Sequence, residues 1–279
     1  MKFSPVDYAF IRSNEFYSEY EVRTNPKVQF GIAIICRVIR YYKELESTQI
    51  VVKELAKKGF DEGIVVIAEK QTGGYGCGKK KWVSNVGGLW FSMLLKPVVH
   101  PNEISKLTLL LGITLGRVFK KRYGINSEIK WPNDILVLEK KIAGIITEMS
   151  VKDGETSWVA AGIGVNINNE LPEYLKNISI SLRDVLRRKT HILGFVSAFF
   201  DEFRYLYFDF KKSGFEGFLE EYNDKIAYKN RNIIVDNGYH DVITGINLGI
   251  DGSGRLIVKT KNKLEKTMSR TVKLAENKI

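Results

Sequence analysis

From about residue 38 onward, the order of hydrophobic and polar positions alternates between a helical and an extended spacing. Apolar residues recur every three or four positions over residues 104–123, before Gly124, which predicts the clearest helix of the chain. A second helix is predicted from Ser47 or Thr48, as its N-cap, to residue 58, with Gly59 as its stop. A continuous apolar run at residues 64–68 predicts a buried strand, and further strands are predicted at residues 38–43 and 89–95.

The pattern after residue 124 is richer in strands. Asp153-Gly154 predicts a tight hairpin turn between two of them. From about Lys229 the chain consists of short apolar runs separated by Asn237-Gly238 and Asp251-Gly252, which is typical of an all-β unit. The elements predicted between these points are strands at 129–131, 135–138, 142–150 and 158–165, and helices at 181–187, 192–210 and 215–222.

These elements predict an α+β protein with two folded units. Residues 37–228 combine a mixed sheet with flanking helices, whereas residues 229–279 are too uniformly β to belong with those helices and predict a small separate barrel. A chain of 279 residues is long enough for one large and one small domain. Residues 1–36 contain many aromatic side chains without a clear period, so they form a segment of unknown role.

The composition indicates an ordinary globular protein, with 44% hydrophobic and 27% charged residues. No apolar run approaches the roughly 20 residues needed to cross a bilayer, and the N-terminus lacks the apolar stretch of a secretory signal. Cys36 and Cys77 make a poor disulfide framework, which favours a reducing cytosol. We therefore predict a cytoplasmic protein without membrane association. Three histidines and two cysteines also leave little material for a metal site.

The net charge of +11 is compatible with nucleic-acid binding or with attraction to an acidic protein or to phosphates. Basic residues are spread along the chain, with local clusters such as those at residues 79–81 and 187–189. A solvated basic surface explains most of them, so the charge does not choose a function.

The first segment that could carry chemistry is a glycine-rich loop at residues 71–82. Four glycines within six residues precede three lysines, which places flexible backbone N–H groups beside positive charge. Such a segment can surround a carboxylate or a phosphate. It matches neither the Walker loop nor a dinucleotide-binding glycine motif, and on its own a loop of this kind is more often a flexible connection.

The second segment is Lys130-Trp131-Pro132-Asn133-Asp134, in which a lysine ends a predicted strand and a proline fixes the turn after it. A lysine held in this way is pre-organised, although a salt-bridged lysine beside an Asn-Asp turn gives the same pattern. The third segment is Gly162-Ile163-Gly164-Val165-Asn166. Alternating glycines clear one face of a strand for a flat ligand, and a bulged strand end explains them equally well.

Together and in this order, the three segments resemble the biotin–protein ligase family. The most specific part is K-W-P-N-D at residues 130–134 with K-x-A-G-I close behind at residues 141–145. The resemblance runs from about Val38 to the C-terminus. Its other motifs are Ser47-Thr48, Gln71, the G-x-G-x-N at residues 162–166 and, in the terminal barrel, residues 244–251 with Gly254.

The resemblance implies a class II synthetase-like catalytic domain with a mixed sheet and flanking helices, followed by an SH3-like β-barrel. It implies an ATP-dependent biotin–[acetyl-CoA-carboxylase] ligase, which forms biotinyl-5′-AMP and then passes biotin to a lysine of a biotin carboxyl carrier protein or domain. Mg²⁺ is expected on the ATP phosphates rather than in a protein cage. Neither membrane nor specific DNA binding is expected, and the oligomeric state, including a homodimer, is left open.

The same resemblance implies the roles of the site residues. Lys130 is the catalytic cation between the biotin carboxylate and the α-phosphate of ATP. The biotin-binding residues are Ser47, Thr48, Gln71, Gly74, Gly76, Lys130, Gly162 and Gly164. The residues facing ATP or the adenylate are Tyr75, Cys77, Lys79, Lys80, Lys81, Trp82, Asn133, Lys141 and Asn166.

The chain departs from the family pattern in the glycine-rich loop. The family loop reads G-R-G-R-x-G-R-x-W, and here Tyr75 and Cys77 stand at the first two arginines, with Lys80 at the third. Tyrosine and cysteine cannot supply the bidentate fork of arginine, and lysine replaces it only as a point charge. The sequence therefore predicts weaker retention of the adenylate than in an arginine-bearing relative.

Three other functions compete with a biotin ligase. A lipoate–protein ligase resembles this fold but carries motifs other than K-W-P-N-D. A biotin-responsive DNA-binding repressor of the family has a winged helix before the catalytic domain, and residues 1–36 show no capped helix–turn–helix pattern. A degenerate homologue that binds biotin without catalysis would agree with Tyr75 and Cys77.

Overall fold

The computed structural model describes residues 8–12, 20–24, 36–236, 242–268 and 271–275. In these ranges the chain forms a nine-stranded mixed sheet with flanking helices and a five-stranded antiparallel sheet near the C-terminus. The predicted α+β fold is confirmed. The helices are α1 (Thr48–Lys57), α2 (Ile104–Tyr123), α3 (Leu182–Leu186), α4 (Ile192–Ser213) and α5 (Leu219–Lys225).

The large sheet has the strand order β1-β2-β3-β4-β5-β9-β8-β7-β6. β3 and β4 pair in parallel, and α1 provides the crossover that such a pair needs. The other neighbours in this sheet run antiparallel. Its strands are β1 (Tyr8–Arg12), β2 (Tyr20–Thr24), β3 (Val38–Leu45), β4 (Ile64–Gln71), β5 (Leu89–Leu95), β6 (Glu128–Lys130), β7 (Asp134–Val137), β8 (Lys140–Lys152) and β9 (Glu155–Val165).

The middle of the large sheet is covered on both faces. Val65 and Ile67 of β4 belong to the main core, which also contains the buried residues of α2 and α4. The alternate residues Ile64 and Val66 pack in a smaller cluster with Val52 of α1. Burial on both faces explains why β4 has a continuous apolar run rather than an alternating one.

The small sheet packs against the end of the large unit. Its strand order is β13-β12-β11-β10-β14. Trp131 Nε1 donates to the carbonyl oxygen of Gly254 at 3.0 Å, and Asn247 Nδ2 donates to that of Ala227 at 3.0 Å. The strands are β10 (Asn232–Asp236), β11 (Val242–Ile250), β12 (Leu256–Lys259), β13 (Leu264–Thr267) and β14 (Thr271–Leu274).

Several sequence predictions agree with the observed elements, and others need correction. The strand at 89–95 and the helix at 104–123 have the predicted bounds, and Asp153-Gly154 forms the predicted turn, with φ of 53° and 82°. Ser47 occupies the N-cap of α1 but its side chain makes no capping hydrogen bond. The Asn237-Gly238 turn lies outside the described residues.

Three element ends were predicted wrongly. Leu138 was placed in a strand, but Leu138 and Glu139 have φ of 52° and 59° and turn the chain from β7 into β8 without a glycine. The helix predicted over residues 215–222 begins as a single 3₁₀ turn at Glu216–Phe218, and α5 follows it. Trp131 also falls just after β6 rather than within it.

The segment without predicted elements contains β1 and β2. They pair with each other and then with β3, in the register Tyr20 to Tyr41 and Arg23 to Val38. The large sheet therefore extends two strands beyond the residues that carry the family motifs. Among the described residues, no helix is both long and apolar enough to cross a membrane.

Candidate functional site

A cavity of about 610 Å³ brings the three sequence segments together. The glycine-rich loop, the start of α1, the turn after β6 and the glycine-bearing parts of β8 and β9 all contribute to its wall. The predicted site residues that line it are Ser47, Thr48, Gln71, Tyr75, Gly76, Cys77, Lys80, Lys81, Trp82, Lys130, Asn133, Lys141, Gly162, Gly164 and Asn166. Gly74 and Lys79 were also predicted and are not among the lining residues.

Ser47, Thr48 and Gln71 form a polar end of the cavity. The Oε1 atom of Gln71 accepts hydrogen bonds from Thr48 N at 2.8 Å and Thr48 Oγ1 at 3.1 Å. The Nε2 atom of Gln71 donates to Ser84 Oγ at 2.8 Å, and Thr48 Oγ1 lies 2.8 Å from Ser92 Oγ. This network fixes the side chains on the wall, so their remaining donors and acceptors have defined directions.

The alternating glycines of β9 let neighbouring side chains lie directly against the backbone of the strand. A Cβ on Gly162 would come within 2.7 Å of Gln49 Oε1 and 2.8 Å of Ile146 Cγ2. A Cβ on Gly164 would come within 2.6 Å of Trp82 Nε1. Gly144 of β8 pairs with Gly164 and also lies against Trp82. Glycine is therefore required at these positions by close contacts across the cavity wall.

Trp82 and Lys141 form a cation–π pair on the cavity wall. Lys141 Nζ lies 4.8 Å from the centroid of the Trp82 ring and 2.6 Å from Asp134 Oδ1. A cation over an indole face, held by a carboxylate, is a favourable arrangement in a partly desolvated site. The buried Nε1 of Trp82 has no hydrogen-bond partner within the described part of the chain.

Lys130 ends β6, as predicted, and its side chain is half-buried on the cavity wall. Burial lowers its pKa, and the charges of Lys141, Lys273 and Lys80 lower it further against the opposing effect of Asp134. A concentration of cations that repel one another is stabilised when an anion enters between them. The arrangement thus favours binding of a carboxylate or a phosphate at this point.

The glycine-rich loop is ordered by its own backbone. Tyr75 and Lys81 form an antiparallel bridge, Gly76 N donates to the carbonyl oxygen of Lys80 at 2.8 Å, and Trp82 N donates to that of Gly74 at 2.8 Å. Gly74 is buried, and a Cβ there would come within 2.6 Å of Ser84 Oγ. The backbone of the loop therefore forms a small hairpin over residues 74–82.

The two residues that stand at arginine positions of the family motif have different surroundings. Tyr75 Oη donates to Glu148 Oε2 at 2.8 Å, so its polar atom is engaged in the protein. Cys77 is exposed, and its Sγ accepts a hydrogen bond from Asn133 Nδ2 at 3.2 Å. Asn133 Nδ2 also donates to the carbonyl oxygen of Ile145 at 2.9 Å, which ties the turn after β6 to β8.

Asn166 follows β9 and is buried, with 4% of its surface exposed. Its Oδ1 accepts a hydrogen bond from Asn169 Nδ2 at 3.1 Å. Since that contact uses the oxygen, the amide nitrogen of Asn166 remains the group that can donate toward the cavity.

Several lining residues escaped the sequence analysis. Gln49 follows the Ser47-Thr48 pair directly, and this adjacency was the one signal available for it. Asp236 and Lys273 come from the small sheet, more than 60 residues beyond β9, and no local pattern connects them to the site. Leu171, Leu175 and Ile178 add an apolar part of the rim, on a segment without regular spacing.

Two carboxylates of the cavity are candidate ligands for the magnesium ion that is expected with ATP. Asp134 and Asp236 line the wall, and Asp134 is already paired with Lys141. No group of three or more metal-ligating side chains occurs in the parts of the chain that the structure describes. This donor set fits a hard cation that arrives on a triphosphate and needs one or two protein oxygens.

Comparisons with known proteins all find similarity to ligases of one family. The profile of the Biotin/lipoate A/B protein ligase family matches residues 41–167. The bifunctional ligase/repressor BirA of Bacillus subtilis is 32% identical over 274 residues, which covers 96% of this chain and 82% of that protein. A biotin–[acetyl-CoA-carboxylase] ligase of Paracoccus denitrificans is 32% identical over 37% of this chain and 43% of its own.

Solved structures agree with the sequence comparisons. The biotin protein ligase from Aquifex aeolicus in complex with biotin and ATP has a TM-score of 0.75 and 25% identity. The match covers 85% of this chain and 99% of that one. The fold expected from the sequence motifs is therefore that of the solved ligase.

Proposed function

This chain belongs to the biotin–protein ligase family, and from that premise we propose that it activates biotin with ATP and transfers it to a lysine of a biotin carboxyl carrier domain. The observation that carries the proposal is the position of Lys130. It lies on the wall of one cavity that also contains the Ser47–Thr48–Gln71 polar end and the alternating glycines of β9. A cation at that point can join two anionic reactants.

Activation requires two anions to meet. The biotin carboxylate oxygen attacks the α-phosphorus of ATP, a P–O bond to the β-phosphate breaks, and pyrophosphate leaves. The task of the protein is to neutralise the repulsion and align the two groups. Lys130, with its lowered pKa and nearby cations, is the group we assign to bridge the carboxylate and the α-phosphate.

The other lining residues divide into two sets by chemistry. The hydroxyl and amide groups at the Ser47, Thr48 and Gln71 end suit the ureido ring of biotin, which has both donors and acceptors. Lys80, Lys81 and Lys141 suit the phosphates. Asn166 offers its amide nitrogen to the base, and Trp82 holds Lys141 over its ring.

In the second step the amine of an acceptor lysine attacks the carbonyl carbon of the mixed anhydride. An amide bond forms, the bond to the phosphate oxygen breaks, AMP leaves, and the amine loses a proton. The transfer needs an open approach, and the cavity is bordered by the apolar side chains of Leu171, Leu175 and Ile178. Magnesium bound to ATP would neutralise phosphate charge, with Asp134 and Asp236 as the carboxylates in reach of the cavity.

Transfer to a carrier domain tests this proposal. The full chain is incubated with ATP, magnesium, a purified biotin carboxyl carrier domain and either biotin or lipoate, and the mass of the carrier is measured. We expect one added biotin at a single lysine. Addition of lipoate instead would favour the lipoate–protein ligase alternative, and no addition with either acid would favour a degenerate binding homologue.

The name of the Bacillus subtilis relative joins a ligase to a repressor. In this chain, residues 8–12 and 20–24 form strands that extend the large sheet. We therefore propose a ligase without operator binding. Sequence-specific retardation of a DNA fragment in the presence of biotin and ATP would contradict this part of the proposal.

A further inference from the structure

Three side chains from separate elements meet beside the glycine-rich loop. Tyr75 Oη, from the loop, lies 2.8 Å from Glu148 Oε2 of β8 and 3.0 Å from Lys53 Nζ of α1. Lys53 Nζ lies 2.9 Å from Glu148 Oε1, and 5.5 Å from the centroid of the Tyr75 ring. These contacts join the loop, the helix that follows Ser47 and the central sheet at a single point.

Charge strengthens these contacts. Burial opposes ionisation of Glu148, but hydrogen bonds from Lys53, Tyr75 and Gln49 outweigh it and lower its pKa. Burial also acts against the charge of Lys53, and the bonds to Tyr75 and Glu148 more than compensate, so its pKa is raised. Both groups therefore stay charged at neutral pH. Burial raises the pKa of Tyr75, so the phenol keeps its proton and donates it to a carboxylate.

Fixing Tyr75 fixes the rest of the loop. Because Tyr75 pairs with Lys81 and Gly76 N bonds to Lys80, the two lysines that line the cavity lie on the facing arm of the same small hairpin. Asn133 Nδ2, at 3.2 Å from Cys77 Sγ, and the packing of Trp82 against Gly164 also hold the hairpin. The phenolic contacts of Tyr75 are the ones that tie its first arm to charged side chains of α1 and β8. Isolated two-stranded hairpins are at best marginally stable in water.

We propose that Lys53 and Glu148 are positioning residues that hold the glycine-rich loop in its binding shape through Tyr75 before any ligand arrives. Neither Lys53 nor Glu148 is among the residues that line the cavity, so they act through the loop. Tyr75 stands where the family motif has an arginine, and its role here is that of an anchor. A loop ordered in advance loses less conformational entropy on binding.

Hydrogen–deuterium exchange of the unliganded full chain tests the proposal. Tyr75→Phe removes only the phenolic oxygen. Tyr41→Phe is the matched control, because Tyr41 Oη donates to Glu69 Oε1 at 2.6 Å and neither residue lines the cavity. We expect the amides of Gly76 and Trp82 to exchange about tenfold faster in Tyr75→Phe and at the wild-type rate in Tyr41→Phe. Unchanged exchange in a folded Tyr75→Phe variant would overturn the proposal.

Lys53→Met tests the same anchor from the helix side and serves if Tyr75→Phe fails to fold. Lys70→Met is its control, because Lys70 forms an ion pair of 2.6 Å with Glu44 that lies outside the cavity wall. Faster exchange of the loop amides in Lys53→Met alone supports the proposal. Equal exchange rates of the loop amides in both lysine variants would contradict the positioning role of Lys53.

The effect on ligand binding rests on the proposed function, whereas the effect on loop exchange does not. With biotin and ATP, we expect Tyr75→Phe to raise KM for ATP about tenfold and to change kcat less than about twofold, because the loop binds the phosphates. A loss confined to kcat would contradict a positioning role. Absence of any reaction in the wild type would refute the proposed function and leave the exchange result to decide the anchor.

Discussion

The indole of Trp82 lies directly against Gly164, at a distance that leaves no room for a side chain on the glycine. A Cβ on Gly164 would be 2.6 Å from Trp82 Nε1 and 2.7 Å from its Cε2. Gly144, the cross-strand partner of Gly164, has the same ring 2.9 Å from its would-be Cβ. The glycines of β8 and β9 thus form a seat for the indole, and Lys141 lies over the ring.

Gly164→Ala is predicted to displace Trp82 and weaken ATP binding. Overpacking of this kind costs about 1–3 kcal/mol, so we expect a loss of affinity of about 5- to 150-fold. Calorimetric titration with a non-hydrolysable ATP analogue measures it. Gly217→Ala is the control, because no atom lies within 4 Å of its would-be Cβ. An ATP affinity equal to wild type in Gly164→Ala would show that the seat is not part of the nucleotide site.

Lys130→Ala is predicted to lower adenylate formation by about 100- to 1000-fold while the fold persists. Its charge is needed where two anions meet, and burial lowers its pKa, so removal of the charge relieves a desolvation penalty. The rate of biotinyl-5′-AMP formation and the thermal midpoint are measured together. A nearly normal rate would refute the role of Lys130, and Lys130→Arg should be almost as inactive because the guanidinium is wider and differently aimed.

The lowered pKa of Lys130 also predicts an early alkaline limit. An ordinary lysine keeps its proton to about pH 10.5, whereas Lys130 loses it at a lower pH in the folded protein. As the pH is raised, kcat/KM should therefore begin to fall before pH 10.5 is reached, since the profile of kcat/KM reports the free enzyme. The residual activity of Lys130→Arg should lack that fall.

The lowered pKa of Lys130 also affects stability: activity falls with rising pH, whereas the contribution of this residue to the free energy of unfolding rises. Between the folded pKa and the ordinary value of 10.5, the unfolded chain binds more protons at this lysine than the folded one. The contribution of Lys130 to the free energy of unfolding therefore increases with pH across that window. Denaturant titrations of wild type and Lys130→Ala across the alkaline range measure the difference, and parallel curves would contradict the assigned shift.

The sequence could predict the site better than the element ends. Local patterns marked Lys130 and Gly164 only as candidates, and the resemblance to the ligase family gave them their roles. Both line the cavity. The turn at Leu138 and Glu139 was not predictable in this way, because neither residue favours the positive φ that it adopts. Tertiary packing imposes that conformation, so local propensity gives no sign of it.

The contributions of Lys273 and Glu148 were hidden for another reason. Lys273 reaches the cavity from the small sheet, which packs against the large unit through contacts such as Trp131 with Gly254. Glu148 is the acidic residue of the long strand β8, and its hydrogen bond to Tyr75 depends on how the glycine-rich loop folds back. Such long-range contacts leave no periodic signal in a single sequence.

The lysines of the glycine-rich loop are predicted to differ in importance. Lys80 lines the cavity and Lys79 does not, so Lys80→Ala should speed the dissociation of biotinyl-5′-AMP and Lys79→Ala should not. Loss of one charge-assisted contact corresponds to about tenfold or more in the dissociation rate. Stopped-flow release of the adenylate compares the two variants. Equal rates in both, or a larger effect of Lys79→Ala, would mean that the loop binds phosphates in another register.

Cys77→Arg is predicted to slow adenylate release. Cys77 lines the cavity at an arginine position of the family motif, and its Sγ, a weak acceptor, receives a hydrogen bond from Asn133 Nδ2 at 3.2 Å. An arginine there adds a charged, bidentate donor. The dissociation rate should fall by about tenfold, and the labelling of lysines on bystander proteins should fall with it. An unchanged rate would leave the missing arginine without a functional consequence.

The central claim, that this cavity joins biotin to ATP through Lys130, is tested most directly by biotin-dependent exchange of labelled pyrophosphate into ATP. Exchange requires only reversible adenylate formation and no acceptor protein. The wild-type chain is predicted to exchange label when biotin is present, and not with lipoate in its place. Lys130→Ala is predicted to lose the exchange while remaining folded. A folded wild type without biotin-dependent exchange, or a Lys130→Ala variant that exchanges at the wild-type rate, would contradict the claim.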